Sequence, residues 1–232
     1  MERVIDLDAK EIKFFEGLDD ILIAMMLTPD SPNAAPTYDE IVRLPIATEL
    51  AISGNGSTLE KYASSKLFRS IGRETKHEIG LTHVGIPVAT LDKIKGLVAQ
   101  KGVTFSKTNA VELPYFAFGF IGNIEGGGKK AVWYPKVQLS NVIDETYVTA
   151  ESEIKINDVT ANLNAYGLNF NNVIYSTFDS YRESAEGISL EQFIAQPVYS
   201  EEQWNKLAIE EVPVPVVGTI TPTADGATIE LS

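Results

Sequence analysis

Residues 115–140 read YFAFGFIGNIEGGGKKAVWYPKVQLS, and the interpretation of the rest of the chain starts from this pattern. In its first part, residues 115–123, phenylalanines occupy alternate positions, which is the period of a strand with one buried face. A second strand-like run follows at residues 131–140. The consecutive glycines between the two runs permit positive φ without a steric cost and predict a flexible hairpin tip that is not attached to the core. The pattern therefore predicts two antiparallel strands of a β-rich fold.

Period-two alternation continues on both sides of this hairpin. KHEIGLTHV at residues 76–84 places two histidines, an isoleucine and a leucine on one face of a strand. SEIKIND at residues 152–158 and TANLNAYG at residues 160–167 alternate in the same way and predict a strand pair with a turn between them. We therefore expect a mainly β protein.

A further hairpin is predicted around SGNGS, residues 53–57. Asn55 and Gly56 are the residue types that a two-residue primed turn requires. The flanking sequence is apolar before this turn and more polar after it, so we expect a long, partly exposed hairpin over residues 46–69.

One segment has helical periodicity. In PVATLDKIKGLVAQKG, residues 87–102, apolar side chains recur at the spacing of a single helical stripe. Pro87 suits the first turn, and Gly102 suits the end. Gly96 in the helix interior would cost about 1 kcal/mol relative to alanine, so the helix is expected to depend on packing against the sheet.

The composition limits the possible functions. The chain has 232 residues, with 19 basic and 32 acidic side chains, a net charge of −13 and a pI near 4.6. This balance argues against tight nucleic-acid binding, which depends on clustered Lys and Arg. The longest apolar run, ILIAMML at residues 21–27, is far shorter than the roughly 20 residues that span a bilayer. It follows an acidic stretch, so neither membrane insertion nor a secretory signal is indicated.

No catalytic pattern emerges from the sequence. The chain has no cysteine, and its two histidines, His77 and His83, lie about 20 Å apart along one predicted strand, too far to share a metal ion. The serines lie outside any nucleophile-elbow motif. We expect no enzymatic activity, no cofactor and no metal ion. Paired carboxylates of a hydrolase remain an alternative, because one sequence offers no way to select a pair.

Residues 16–53 read EGLDDILIAMMLTPDSPNAAPTYDEIVRLPIATELAIS. They resemble the opening of the major tail tube proteins of bacteriophages with long non-contractile tails (siphophages), especially phages of Gram-positive hosts. That family shows a glycine, a strand ending in an A-L-L-T-x-D type sequence, and then Y-x-x-x-x-R-L-P-x-A-x-E. The matching residues are Gly17, Ala24, Leu27, Thr28, Asp30, Tyr38, Arg43, Leu44, Pro45, Ala47 and Glu49. The order of the later elements extends the resemblance over residues 16–200.

The resemblance implies a mainly β fold, namely a tail-tube β-sandwich or barrel with one flanking α-helix, a long hairpin and extended terminal arms. We expect the chain to comprise an N-terminal arm and first strand (1–43), the sandwich (44–200, with a helix at 87–101) and an acidic C-terminal arm (201–232). The prolines at 213, 215 and 222 exclude a helix in that part of the arm and limit strand pairing.

The function implied by the resemblance is structural. Copies would form hexameric rings that stack into a tail tube, the conduit for double-stranded DNA during ejection. The implied partners are other copies, the tape-measure protein, and the tail terminator and distal tail proteins, with DNA in transit without tight binding. The implied location is the phage tail of the virion, with the host cytoplasm during assembly. An acidic protein suits this role because it repels phosphates instead of holding them.

Two sets of residues are candidates for this role. The lumen-facing candidates, for which an outer-surface position is the alternative, are Glu49, Glu60, Lys61, Lys66, Arg69, Lys136 and Gln138. The candidates for contacts between subunits or rings, for which ordinary ordered loops are the alternative, are Tyr38, Arg43, Pro45, Asn55, Gly56, Gly126, Gly127 and Gly128.

A second interpretation is a non-catalytic β-sandwich binding module, such as an adhesin or a carbohydrate-binding protein of a phage tail or cell surface. It would require an aromatic cluster on exposed loops. Trp133, however, lies in a predicted strand and Trp204 in an acidic, helix-like segment.

Overall fold

The computed structural model describes residues 12–63, 66–108, 112–141, 158–185 and 187–208. Its described part is mainly β, with a flanking helix, as the sequence predicts. The elements in chain order are β1 (Phe15–Thr28), β2 (Thr37–Tyr38), β3 (Val42–Leu44), β4 (Ala47–Ala63), β5 (Lys66–His83), α1 (Val88–Lys95), β6 (Phe116–Ile124), β7 (Gly128–Leu139), β8 (Val159–Tyr166), β9 (Ser176–Asp179), a 3-10 helix (Glu183–Ala185), α2 (Leu190–Ile194) and α3 (Glu201–Leu207).

All nine strands in the described residues belong to one antiparallel sheet. Its order is β2-β1-β6-β7-β8-β5-β4, with β3 also pairing with β1 and β9 also pairing with β7. The hairpin predicted from residues 115–140 is confirmed, because β6 and β7 pair from Phe116 to Ile124. TANLNAYG forms β8, whereas residues 152–157, the strand predicted before it, lie outside the described residues.

The centre of the sheet is buried on both faces. Ile21 and Ile23 of β1 face one core, together with the phenylalanines of β6 and with Ile94 of α1. Leu22 and Ala24 face a second core on the opposite side, which α2 and α3 cover. This explains why β1 contains a continuous apolar run, since a strand covered on both faces has no solvent-facing side.

Pro135 lies inside β7, where a proline removes one hydrogen-bond donor from the ladder. The pairing of β6 with β7 shifts at this point, so that Ala117 opposes both Pro135 and Lys136. Such a bulge bends the strand and redirects the neighbouring side chains. The Tyr38 hydroxyl donates to the Pro135 carbonyl oxygen over 2.7 Å, which ties β2 to the bulge.

The predicted helix is shorter than its apolar stripe suggests. It begins at Val88 after Pro87 but ends at Lys95, because Gly96 adopts φ 66° and caps the C-terminus. The end predicted at residues 101–102 is therefore wrong. Val98, which the stripe assigned to the buried face, is exposed. Packing against the sheet is confirmed by Ile94, which is 2% exposed.

Asn55 and Gly56 do not form the predicted turn. Both residues lie within β4, opposite Lys76 and Glu74 of β5, and the ladder continues until Ala63 pairs with Lys66. The hairpin is therefore longer than predicted, and its pairing extends as far as Ala63 and Lys66. No described helix is both long enough and apolar enough to cross a membrane.

Candidate functional site

The outer part of the β4–β5 hairpin extends beyond the sheet. β8 pairs with β5 only from Lys76 to His83, so residues 55–75, here named the projecting hairpin, pair only with each other and with no further strand of the described chain. Every described side chain from residue 51 to residue 61 is exposed, including Leu59 at 69%. The projecting hairpin therefore presents both of its faces to solvent.

Two strand edges are unpaired in this region. β4, with 17 residues, is the last strand of the sheet, and within the described residues no strand pairs with its outer edge. The outer edge of β5 is also unpaired between residues 66 and 75. A long exposed edge offers a row of unpaired N–H and C=O groups to another chain. An isolated two-stranded ribbon is also only marginally stable in water. The geometry is suited to strand pairing between chains.

A cluster of side chains fixes the base of the projecting hairpin. Thr75 interrupts the pairing and donates its hydroxyl to the Asn55 carbonyl oxygen over 2.7 Å. Below it, His77 is buried, and its Nδ1 lies 3.2 Å from the Tyr134 hydroxyl. The Tyr175 ring packs against His77 at 5.5 Å between centroids. Burial raises the pKa of Tyr134 to about 12, so this hydroxyl keeps its proton at neutral pH.

Five of the seven lumen candidates belong to the β4–β5 hairpin. Glu49, Glu60, Lys61, Lys66 and Arg69 are all exposed. These side chains lie on both faces of the hairpin. Lys61 shares a face with Arg69, its cross-strand partner, whereas Glu60 is the preceding residue of the strand and lies on the other face with its partner Ser70. They therefore do not form one uniform surface.

Lys136 requires a correction, because it is only 8% exposed and is not a surface residue of the chain. The bulge at Pro135 directs its ammonium group to Asp30, where Nζ lies 2.6 Å from Oδ1. Asp30 also accepts a hydrogen bond from the backbone N–H of Asn169. Gln138, the other candidate on β7, is half-buried and donates from Nε2 to the Leu113 carbonyl oxygen over 2.6 Å.

Two of the contact candidates bond within their own chain. Tyr38 bonds to Pro135, and burial, with Tyr199 and Asp30 nearby, raises the pKa of its hydroxyl well above the usual range. Arg43 donates to the Asp20 carboxylate, which holds β3 beside β1. Pro45, between β3 and β4, is exposed.

The glycine turn is more firmly attached than the sequence predicts. Gly126 and Gly127 adopt φ of 85° and 84°, which makes the connection between β6 and β7 tight. Tyr181 packs over Gly128 and donates its hydroxyl to the Glu125 carbonyl oxygen over 2.7 Å. The expectation of a loop detached from the core is therefore wrong for these residues.

Cavities in the described residues offer other potential sites, including a cleft of about 780 Å³ at the base of the projecting hairpin, lined by Arg73, Thr75, Lys136 and Tyr166 among others. A mainly apolar cavity of about 70 Å³ lies between α1 and the sheet and reaches His83, and a groove of about 310 Å³ lies between β9 and the helices, beside Trp204. Within the described chain, no three His, Cys, Asp or Glu side chains are grouped so that they could hold a metal ion.

The sequence predicts a long exposed hairpin here but misses its length and the position of its turn. The Asn-Gly pair is a strong turn signal, whereas the connection between Ala63 and Lys66 has only two serines, a weaker one. Which edge of a strand stays unpaired depends on sheet order, and local alternation contains no information about that order.

Comparison with protein families and with curated proteins identifies no relative. No protein-family model matches the sequence, and no curated protein matches it. The functional proposal therefore depends on the geometry described above and on the sequence resemblance to tail tube proteins.

Proposed function

We propose that the protein is a structural subunit that polymerises as stacked hexameric rings and forms a tube of the phage-tail type. The observation that carries this proposal is the projecting hairpin, with two unpaired edges and two exposed faces. An extended, solvated ribbon of this length does not stabilise a monomer. A neighbouring copy that pairs with it would satisfy the unpaired backbone groups.

The type of contact follows from the positions of the free edges. The β4 edge and the β5 edge belong to the same hairpin but point in opposite directions in the sheet order. One copy can therefore offer its β4 edge to the β5 edge of the next copy. Such a contact is heterologous, and it closes into a ring when the rotation between copies completes a circle. A closed barrel of hairpins would have no remaining edges.

The charge of the chain is compatible with a DNA conduit. With a net charge of −13, the assembled wall would repel phosphates overall, and DNA would slide without being retained by counterion release. The resemblance adds the tape-measure protein inside the growing tube and the terminator and distal tail proteins at its two ends. In this proposal the protein is not an enzyme, and it acts in the virion tail after assembly in the host cytoplasm.

The binding-module interpretation has weaker support. Trp133 is fully buried and donates from Nε1 to the Phe193 carbonyl oxygen over 3.0 Å. Trp204 packs edge-on against Phe193, 5.7 Å away between centroids. These rings hold the helices on the sheet, whereas a carbohydrate platform would present them to solvent.

Negative-stain imaging of the purified full chain over a range of concentrations tests the proposal. We expect annular particles or tubes. The matched variant replaces residues 57–73 with Asn-Gly and so connects Gly56 to Glu74, which are cross-strand partners. We expect this shortened chain to remain folded, because residues 57–73 pair with no strand outside this hairpin in the described chain, but to remain monomeric.

Circular dichroism and urea unfolding of both chains provide the control for folding. Tubes formed by the shortened chain would refute the role of the projecting hairpin. A full chain that stays monomeric at every concentration would refute self-assembly.

A further inference from the structure

The two faces of the projecting hairpin differ in charge. Arg69 lies directly opposite Lys61, and Arg73 is four residues along the same strand, so the three cations share one face. Glu60 and Glu74 directly adjoin Lys61 and Arg73 in sequence and therefore belong to the other face. All five side chains are exposed. Lys61, Arg69 and Arg73 are named the basic face below.

This local charge is opposite to that of the whole protein. Residues 55–75 contain four basic and two acidic side chains, whereas the chain has 19 basic and 32 acidic ones. Like charges placed directly opposite each other, as Lys61 and Arg69 are, destabilise a strand pair. The isolated chain therefore holds an unfavourable arrangement that an acidic surface would relieve.

We propose that the basic face docks on carboxylates that lie outside the projecting hairpin of a second copy of this chain. The inference depends on the proposed self-assembly and specifies which surfaces meet. Charge complementarity supports a second copy as the occupant, because the remainder of each copy is strongly acidic. Nucleic acid is disfavoured as the occupant, since the overall charge repels phosphates.

Charge reversal combined with a salt titration tests the inference. We expect assembly of the unmodified protein, followed by light scattering and sedimentation, to weaken as NaCl rises because screening removes the attraction. The variant Arg69→Glu with Arg73→Glu should need at least about tenfold more protein to assemble, because like charges would then face each other. High salt should partly restore assembly of this variant, whereas it should weaken assembly of the unmodified protein.

A matched control changes the same charge elsewhere. Lys101→Glu with Lys107→Glu alters two exposed lysines outside the hairpin and should leave the assembly concentration within about twofold, as expected for rim charges outside a contact. Equal assembly of the hairpin variant and this control, with the same salt dependence, would overturn the inference while leaving self-assembly intact. Failure of the unmodified protein to assemble would overturn both.

Zero-length carbodiimide cross-linking locates the contact directly. Assemblies made from mixed ¹⁴N-labelled and ¹⁵N-labelled chains distinguish links between copies from links within one copy. We expect Lys61 to be joined to a carboxylate outside residues 55–75 of a different copy. Cross-links confined to single copies would contradict the proposal. It would also be contradicted if the basic face were needed to retain duplex DNA but not for assembly.

Discussion

At the scale of single residues, side-chain contacts join parts of the chain that are far apart in sequence. Lys136 and Asp30 form a buried ion pair although 106 residues separate them. Alternation along β7 predicts an outward-facing lysine, and only the bulge at Pro135 and the position of Asp30 show why it is buried. Charged side chains are seldom fully buried unless they are paired, so the sequence alone favours exposure.

Gly119 provides a test of close packing. A Cβ atom at this position would lie 2.7 Å from the fully buried Trp133 ring, which is fixed by its hydrogen bond to Phe193. We expect Gly119→Ala to lower the free energy of unfolding by about 1–3 kcal/mol, measured by urea denaturation. Gly17→Ala is the matched control, because a Cβ atom there meets nothing within 4 Å. Equal stabilities of the two variants would contradict this packing.

His83 provides a test of pH dependence. Burial lowers the pKa of its imidazole, with Asp158 acting in the opposite direction, and Nδ1 has no hydrogen-bond partner among the described residues. The unfolded chain therefore binds a proton more readily than the folded chain, so stability falls as the pH decreases through the unfolded value of about 6.5. We expect His83→Leu to lose less stability than the unmodified protein between about pH 7.5 and about pH 5.5. Parallel pH profiles in urea denaturation would show that this histidine does not contribute.

At the scale of elements, the sequence predicts the type of element better than its limits. Alternation identifies the β6–β7 hairpin and β8, because buried and exposed faces leave a period of two in the residues themselves. The end of α1 and the tip of the β4–β5 hairpin are missed. The end of α1 depends on the backbone conformation of Gly96, because a glycine can lie inside a helix or cap its end. The position of the hairpin turn depends on how far β4 and β5 pair, which local sequence signals do not determine.

Gly96→Ala distinguishes the two interpretations of α1 by the sign of its effect. Inside a helix, the change would stabilise the protein by about 1 kcal/mol. Because Gly96 adopts φ 66° and a Cβ atom would lie 3.0 Å from Pro114, we expect destabilisation instead. Gly96→Asn should destabilise less, since asparagine tolerates the left-handed region. A higher urea midpoint for the alanine variant would contradict the helix end at Lys95.

At the scale of the whole molecule, one antiparallel sheet connects two packed cores to a solvated ribbon. The mainly β class with a flanking helix is predictable because each strand and helix leaves its own periodicity in the sequence. The order of the strands is not predictable in this way, and it is the order that leaves β4 and part of β5 unpaired. The sequence thus predicts the exposed hairpin itself, whereas its length and the extent of its free edges follow from the long-range pairing.

The central claim is that the free edge of β4 pairs with another copy. Hydrogen–deuterium exchange of the amides in residues 47–63, compared between the dilute chain and the concentrated assembly, measures this directly. In an antiparallel ladder, alternate residues of β4 donate to β5 and the others point to the free edge. We expect the free-edge amides to exchange quickly in the dilute chain and to become strongly protected on assembly, while amides in β6 remain protected in both states. Assembled particles in which residues 47–63 exchange as fast as in the dilute chain would contradict the account.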